Sequence, residues 1–175
     1  MCVIVELRMN LLNIVKYPHE VLAKEAEPVA VVDDEVRRLV DDMVKTMGDN
    51  DGVGLAGPQV GESKRLFVAA PKGLKGPVHV FINPTIVNSA GAELGPEGCL
   101  SIPGVFGDIE RARSLTVTFL NPQGEKETLE AEGFLARIIQ HEYDHLNGKV
   151  FIDHLGFSER QSVLEEYKRL QHISM

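Results

Sequence analysis

Apolar residues recur at intervals of three and four in some stretches of the chain and crowd into short runs in others. In DDEVRRLVDDMVKTM, residues 33–47, Val36, Leu39, Val40, Met43, Val44 and Met47 share one face. Acids open the segment and Gly48 comes after it, so the pattern predicts an amphipathic helix. KRLFVAAP (64–71), VHVFINPTIV (78–87) and SLTVTFL (114–120) are short, rich in β-branched or aromatic residues and bounded by Gly, Pro or Asn, which predicts strands. The polar turn NPQGEK then leads to ETLEAEG, predicting an antiparallel pair. A second helix is expected from about Gly133 to Leu146, stopped by Asn147-Gly148. A third is expected to open at Ser158, where Gln161 completes a capping-box pattern and Val163, Leu164, Tyr167 and Leu170 form one stripe. Strands bracketed by helices without regular βαβ alternation predict an α+β fold: antiparallel strands around the 133–146 helix, with an N-terminal helix and a C-terminal helix at 158–175.

A length of 175 residues suits one domain that can bury a core without staples, so 1–175 reads as a single unit with 1–11 as an extra leader. The leader has strand-like patterning, or is an upstream start with Met9 as the alternative initiator. It lacks the basic segment and cleavage pattern of a signal peptide, so a cytoplasmic location is expected. No run approaches the ~20 apolar residues of a membrane span. A formal charge of −8 disfavours a broad phosphate-binding surface, and no stable nucleic-acid binding is expected. Two cysteines make no disulfide framework. Cys2, near the terminus, is assigned no role, which leaves Cys99 as a candidate nucleophile or ligand.

The chemistry concentrates in QHEYDHL, residues 140–146. On a helix, His141 and His145 lie one above the other and turn their rings to a common point, with Glu142 about 100° around. This is H-E-x-x-H: two metal ligands and a carboxylate near enough to take a proton from a water that the metal activates. Phe134 and Ile138 precede the histidines at helical spacing and extend the ligand face as an apolar wall. A water-activating metal usually takes three protein ligands. Cys99, in GPEGCLSIPG, is the candidate third, on an exposed loop or strand edge. A zinc peptidase would take its third ligand downstream instead, yet the metzincin spacing places Phe151 where a histidine is required, leaving His154 as the only near candidate.

GVGLAGPQVG, residues 52–61, formally contains G-x-G-x-x-G. A dinucleotide fingerprint needs a strand before it and a helix after it, whereas here a helix precedes, and Pro58 and Gly61 interrupt the segment where the second helix would form. The better reading is a loop whose backbone approaches something closely, with Gln59 offering an amide donor and acceptor.

Together, GVGLAGPQ at 52–59, EGCLS at 97–101 and QHEYDHLNG at 140–148 resemble the three motifs of the peptide deformylase family, in order and at similar spacing. The resemblance extends from about Leu12 to the C-terminal helix. It implies hydrolysis of the N-formyl group from N-formylmethionyl nascent peptides. It also implies Cys99, His141 and His145 as metal ligands, Glu142 as general acid/base, Gln59 and the Leu100 N–H as oxyanion donors, and Glu97 as a buttress. Val53, Gly54, Glu97, Gly98, Phe134 and Ile138 are expected to bind substrate. A thiolate with two imidazoles suits Zn²⁺ or Fe²⁺; similarity to the family implies Fe²⁺ in the cell, one per chain, with Zn²⁺ or another divalent ion an alternative in purified protein. In a subset of the family the terminal helix contacts the ribosome, so transient proximity to ribosome and nascent chain is also implied. One position departs from the family pattern: Gly57 stands where a second alanine is usual. Gly57→Ala is therefore expected to be neutral or mildly stabilising if the backbone there accepts a Cβ.

Overall fold

The computed structural model describes residues 10–173. The leader's Cys2 and Met9 lie outside them. Helix α1 spans Asp34–Asp49, capped by the Asp33 carboxylate, which accepts the Val36 N–H at 2.9 Å. Its buried residues Val36, Val40, Met43 and Met47 repeat at helical spacing and pack on Leu55, Leu66, Val68 and Ile82.

Strands β1 (Gly54–Ala56), β2 (Leu66–Ala69), β3 (His79–Ala90), β6 (Ser114–Leu120) and β7 (Lys126–Glu132) form a sheet in the order β1-β2-β3-β6-β7, antiparallel throughout. The register between β3 and β6 slips from Ile82 to Thr85, where Pro84 has no N–H to offer and Asn83 takes a positive φ of 49°. Strands β4 (Glu93–Cys99) and β5 (Ile102–Arg111) make a separate hairpin.

Helix α2, Gly133–Leu146, lies between the sheet and the hairpin. Ala136, Ile139 and Leu146 pack into the cluster with Phe67, Phe81, Leu115 and Val117 on the sheet. Arg137, His141 and Asp144 reach the hairpin through Glu97 and Arg111. Helix α3, Phe157–Ile173, buries Tyr167 and packs Val163, Leu164 and Leu170 against Ile102, Val105, Ile109 and Phe151. It begins one residue before the expected start, and Arg160 N–H already bonds Gly156 O at 2.9 Å. Ser158 therefore sits inside the first turn rather than capping it, correcting the capping-box reading. Among the described residues no helix is long and apolar enough to cross a membrane.

Candidate metal centre and active site

The hairpin and α2 meet at one point. Strand β4 ends at Cys99, and α2 presents His141 and His145 one turn apart. Cys99 Sγ lies 3.3 Å from His145 Nε2, and one ligand atom from each of the three residues falls within 4.8 Å of the others. Tetrahedral sulfur and nitrogen donors at ~2.0–2.3 Å from one ion stand about 3.5 Å apart, so side-chain adjustment alone lets this donor set hold a single ion. Glu142 Oε2 and His145 Nδ1 are buried without a partner among the described residues. Because buried polar atoms are normally satisfied, an unpaired carboxylate oxygen beside three soft or nitrogen donors fits a site built around a cation.

Behind the donors lies a buried charge network. Glu97 accepts from Arg111 Nε at 2.8 Å, Arg111 Nη2 at 3.0 Å and Arg137 Nη1 at 3.0 Å. Its Oε2 is 2.9 Å from His141 Nδ1, which assigns the proton to Nδ1 and leaves Nε2 free as a ligand. Arg111 Nη1 also donates to Asp144 Oδ2 at 2.7 Å, and His154 Nε2 meets the same oxygen at 2.7 Å. His154 is thus engaged by Asp144 and does not join the donor group. Burial by itself would raise the Glu97 carboxyl, but hydrogen bonds from Arg111 and His141 hold it down to about 2. Burial would raise the Cys99 thiol too, yet the neighbouring His145 and His141 outweigh it and keep the thiol well below its usual range. Glu142 goes the other way: burial pushes it up to about 7 against the lowering influence of both histidines.

Gln59 arrives on the 3-10 turn Gly57–Val60 that comes after β1. Its Oε1 accepts the Ala56 N–H at 2.9 Å, while Nε2 faces Cys99 Sγ and Ser101 Oγ, each at 3.3 Å. With the oxygen occupied by the backbone, the amide can only donate toward the site. Gly54 passes so close to α2 that a Cβ there would overlap the Glu142 carboxylate. At Gly57 a Cβ would lie 2.5 Å from Lys64 O and 2.9 Å from Glu62 O, both backbone atoms. The position does not accept a Cβ, so the condition for tolerating alanine is not met: close approach requires the glycine.

A cavity of about 440 Å³ opens over this centre. Val53, Gly54 and Gln59 line it from the first motif, and Glu97, Gly98, Cys99 and Leu100 from the second. Phe134, Ile138, His141 and Glu142 line it from α2. His145 is fully buried behind them. Ile138 is 4% exposed and also packs into the sheet core, whereas Phe134 is 54% exposed and stands at the rim, like Phe106. Sequence reasoning missed Arg111, Arg137, Asp144 and Phe106. The first and last lie on β5, where Val105, Gly107, Ile109 and Arg111 are buried and Phe106, Asp108 and Glu110 exposed, an alternation that could have revealed the strand.

An H-E-x-x-H helix facing a cysteine at the end of a β-hairpin defines a metallohydrolase-type centre within an α+β fold. Residues 11–161 match the family model for polypeptide deformylase. A peptide deformylase of Alkalilimnicola ehrlichii is 45% identical over 164 residues, covering 93% of this chain and 92% of that protein. One of Symbiobacterium thermophilum is 50% identical over 145 residues, 83% of this chain and 67% of its own length. The crystal structure of a peptide deformylase from Legionella pneumophila superposes with a TM-score of 0.87 at 42% identity, covering 93% of this chain and 98% of that one. The chain belongs to the polypeptide deformylase family, metal-dependent hydrolases that remove the N-formyl group from nascent peptides.

Proposed function

We propose that deformylation in this protein takes place at the centre formed by Cys99, His141, His145 and Glu142, with Fe²⁺ as the cellular ion and N-formylmethionyl peptides as substrate. The observation that carries this reading is the thiol and two imidazoles within 4.8 Å of one another beside a buried Glu142 oxygen that has no other partner among the described residues. Cys99, His141 and His145 would hold the ion, which when bound supplies a Lewis acid that acidifies water and polarises the formyl oxygen. Glu142 takes the proton from the attacking water and passes it to the departing amine nitrogen, a task suited to a carboxyl poised near neutrality. The Gln59 amide and the Leu100 N–H donate to the oxyanion as it develops. Glu97, clamped by Arg111 and Arg137, fixes the His141 ring. The products are formate and a peptide with a free N-terminal methionine.

The methionine side chain lies along Val53, Gly54 and Gly98, with Ile138 at the floor and Phe134 at the rim. The chain acts as one domain in the cytoplasm. Helix α3 spends its apolar stripe on the hairpin core, so ribosome contact is transient.

The test is formate release from formyl-Met-Ala-Ser by anaerobically purified protein, paired with metal analysis. Activity should track iron content, and Cys99→Ser should lose or loosen the ion because a neutral hydroxyl replaces a thiolate poorly. Full occupancy in Cys99→Ser would place the third ligand elsewhere.

A further inference from the structure

The proposed oxyanion donors come from separate stretches, Gln59 on the turn after β1 and Leu100 on the turn between β4 and β5. One short segment touches both. Val15 N–H donates to Gln59 O at 2.7 Å, and Tyr17 N–H donates to Ser101 O at 2.9 Å. Between them, Lys16 Nζ reaches Leu100 O at 2.6 Å. The strap is itself fixed from outside. Tyr167 on α3 donates its hydroxyl to Tyr17 O at 3.1 Å, and the two rings meet edge to face with centroids 6.4 Å apart.

Two of the three strap bonds are neutral backbone bonds, which set the register of the segment. The third is charge-assisted, from the exposed Lys16 side chain. It grips the carbonyl of the residue whose N–H is offered to the oxyanion. Pinning that carbonyl fixes the Leu100–Ser101 peptide plane, which adjoins at the Leu100 Cα the plane that carries the Leu100 N–H, while the Val15 bond holds the backbone of Gln59. Oxyanion donors are effective only when they are already aimed at the position the charge will occupy.

We propose that the strap Val15–Tyr17 pre-positions the oxyanion donors, with the Lys16 ammonium as the positioning residue that holds Leu100 in register with Gln59. This rests on the reading of Gln59 and Leu100 as oxyanion donors. In its assigned role Lys16 acts through Leu100 and not on the reacting atoms; its ammonium also interacts electrostatically with Cys99, and a role exerted that way would appear in metal content. Its loss should therefore slow turnover without weakening substrate or metal binding.

The test compares wild type, Lys16→Arg, Lys16→Gln and Lys16→Met, all iron-loaded, for kcat and KM on formyl-Met-Ala-Ser, metal content and Tm. Lys16→Met should lower kcat about tenfold, the scale of a sub-ångström misplacement of a catalytic donor. KM and metal content should stay within twofold of wild type. Lys16→Gln should fall between, and Lys16→Arg should recover at least half of kcat. If Lys16→Met does not fold, the Arg and Gln variants decide by the same ordering. In an enzyme whose wild type is active, a Lys16→Met kcat within twofold of wild type would overturn the strap proposal. So would a loss carried by KM or metal content, or an equal loss in the Arg variant. Failure of the iron-loaded wild type to release formate would instead overturn the reading of the site itself.

Discussion

Replacing Gly57 with alanine adds one methyl group at a point where the chain doubles back on itself. The new Cβ would sit 2.5 Å from Lys64 O, whereas ordinary contacts begin at 3.4 Å, so the two segments must part by 0.9 Å (3.4 − 2.5). Neither side yields easily. Gly57 O accepts the Glu62 N–H at 3.0 Å, and the neighbouring Arg65 N–H is bonded to Glu27 O at 2.8 Å. Overpacking of this kind costs ~1–3 kcal/mol. The alanine recovers ~0.4–1 kcal/mol by restricting the unfolded chain, leaving a net loss between about 0 and 2.6 kcal/mol, centred near 1.3. For a chain of this size the central value corresponds to a fall in Tm of about 3–5 °C. Because Gln59 lies two residues on, a shift of the turn also moves its amide, and kcat should fall by up to about 100-fold. Thermal unfolding at matched metal loading, together with formate release, measures both effects. A Gly57→Ala protein with unchanged or higher Tm and wild-type kcat would refute the close-approach argument.

The site itself sets three further outcomes. Glu142→Gln should keep its metal and lose ~10²–10⁴-fold in kcat, since the amide cannot shuttle a proton; more than a tenth of wild-type activity would remove Glu142 from that role. Glu97 titrates near 2 in the folded protein, below its ordinary 4.5, so its stabilisation is present above about pH 4.5 and disappears as pH falls toward 2. Urea midpoints should therefore show the advantage of wild type over Glu97→Gln shrinking across that window, and a constant gap would contradict the assignment. Finally, burial of the methionine side chain, worth ~1.5–3 kcal/mol, should favour formyl-Met over formyl-Gly peptides at least about tenfold in kcat/KM; equal rates would place the side-chain pocket elsewhere.

The parts of this protein that are legible in its sequence are those set by a local period. Helix α2 keeps to the expected Gly133–Leu146 bounds because helical spacing and the Asn147-Gly148 stop are properties of neighbouring residues. Strands β6 and β7 likewise come from two apolar or alternating runs around a polar turn. The β4–β5 hairpin reads in the sequence only as an exposed loop or strand edge around Cys99. Pro96, Gly95 and Gly98 in β4 and Gly104 and Gly107 in β5 dilute the strand signal, although the β5 alternation is present. Arg111 and Arg137 are invisible for another reason. An arginine on a strand or helix reads as a solvent-facing residue until the fold brings Glu97 between the two. Gly57 requires the same kind of knowledge, since its neighbour at Lys64 is set by how the loop returns.

Cys99 and His145 stand 46 residues apart in the chain. In the unfolded protein only the two histidines remain neighbours, so the complete donor set exists only when the hairpin is docked on α2. An ion that binds the folded form alone adds its binding free energy to stability, about 2.7 kcal/mol when free ion exceeds the dissociation constant 100-fold. Metal supply and protein lifetime thereby become one variable: a chain starved of its ion loses turnover and resistance to proteolysis together, and chelation works as a mild denaturant as well as an inhibitor.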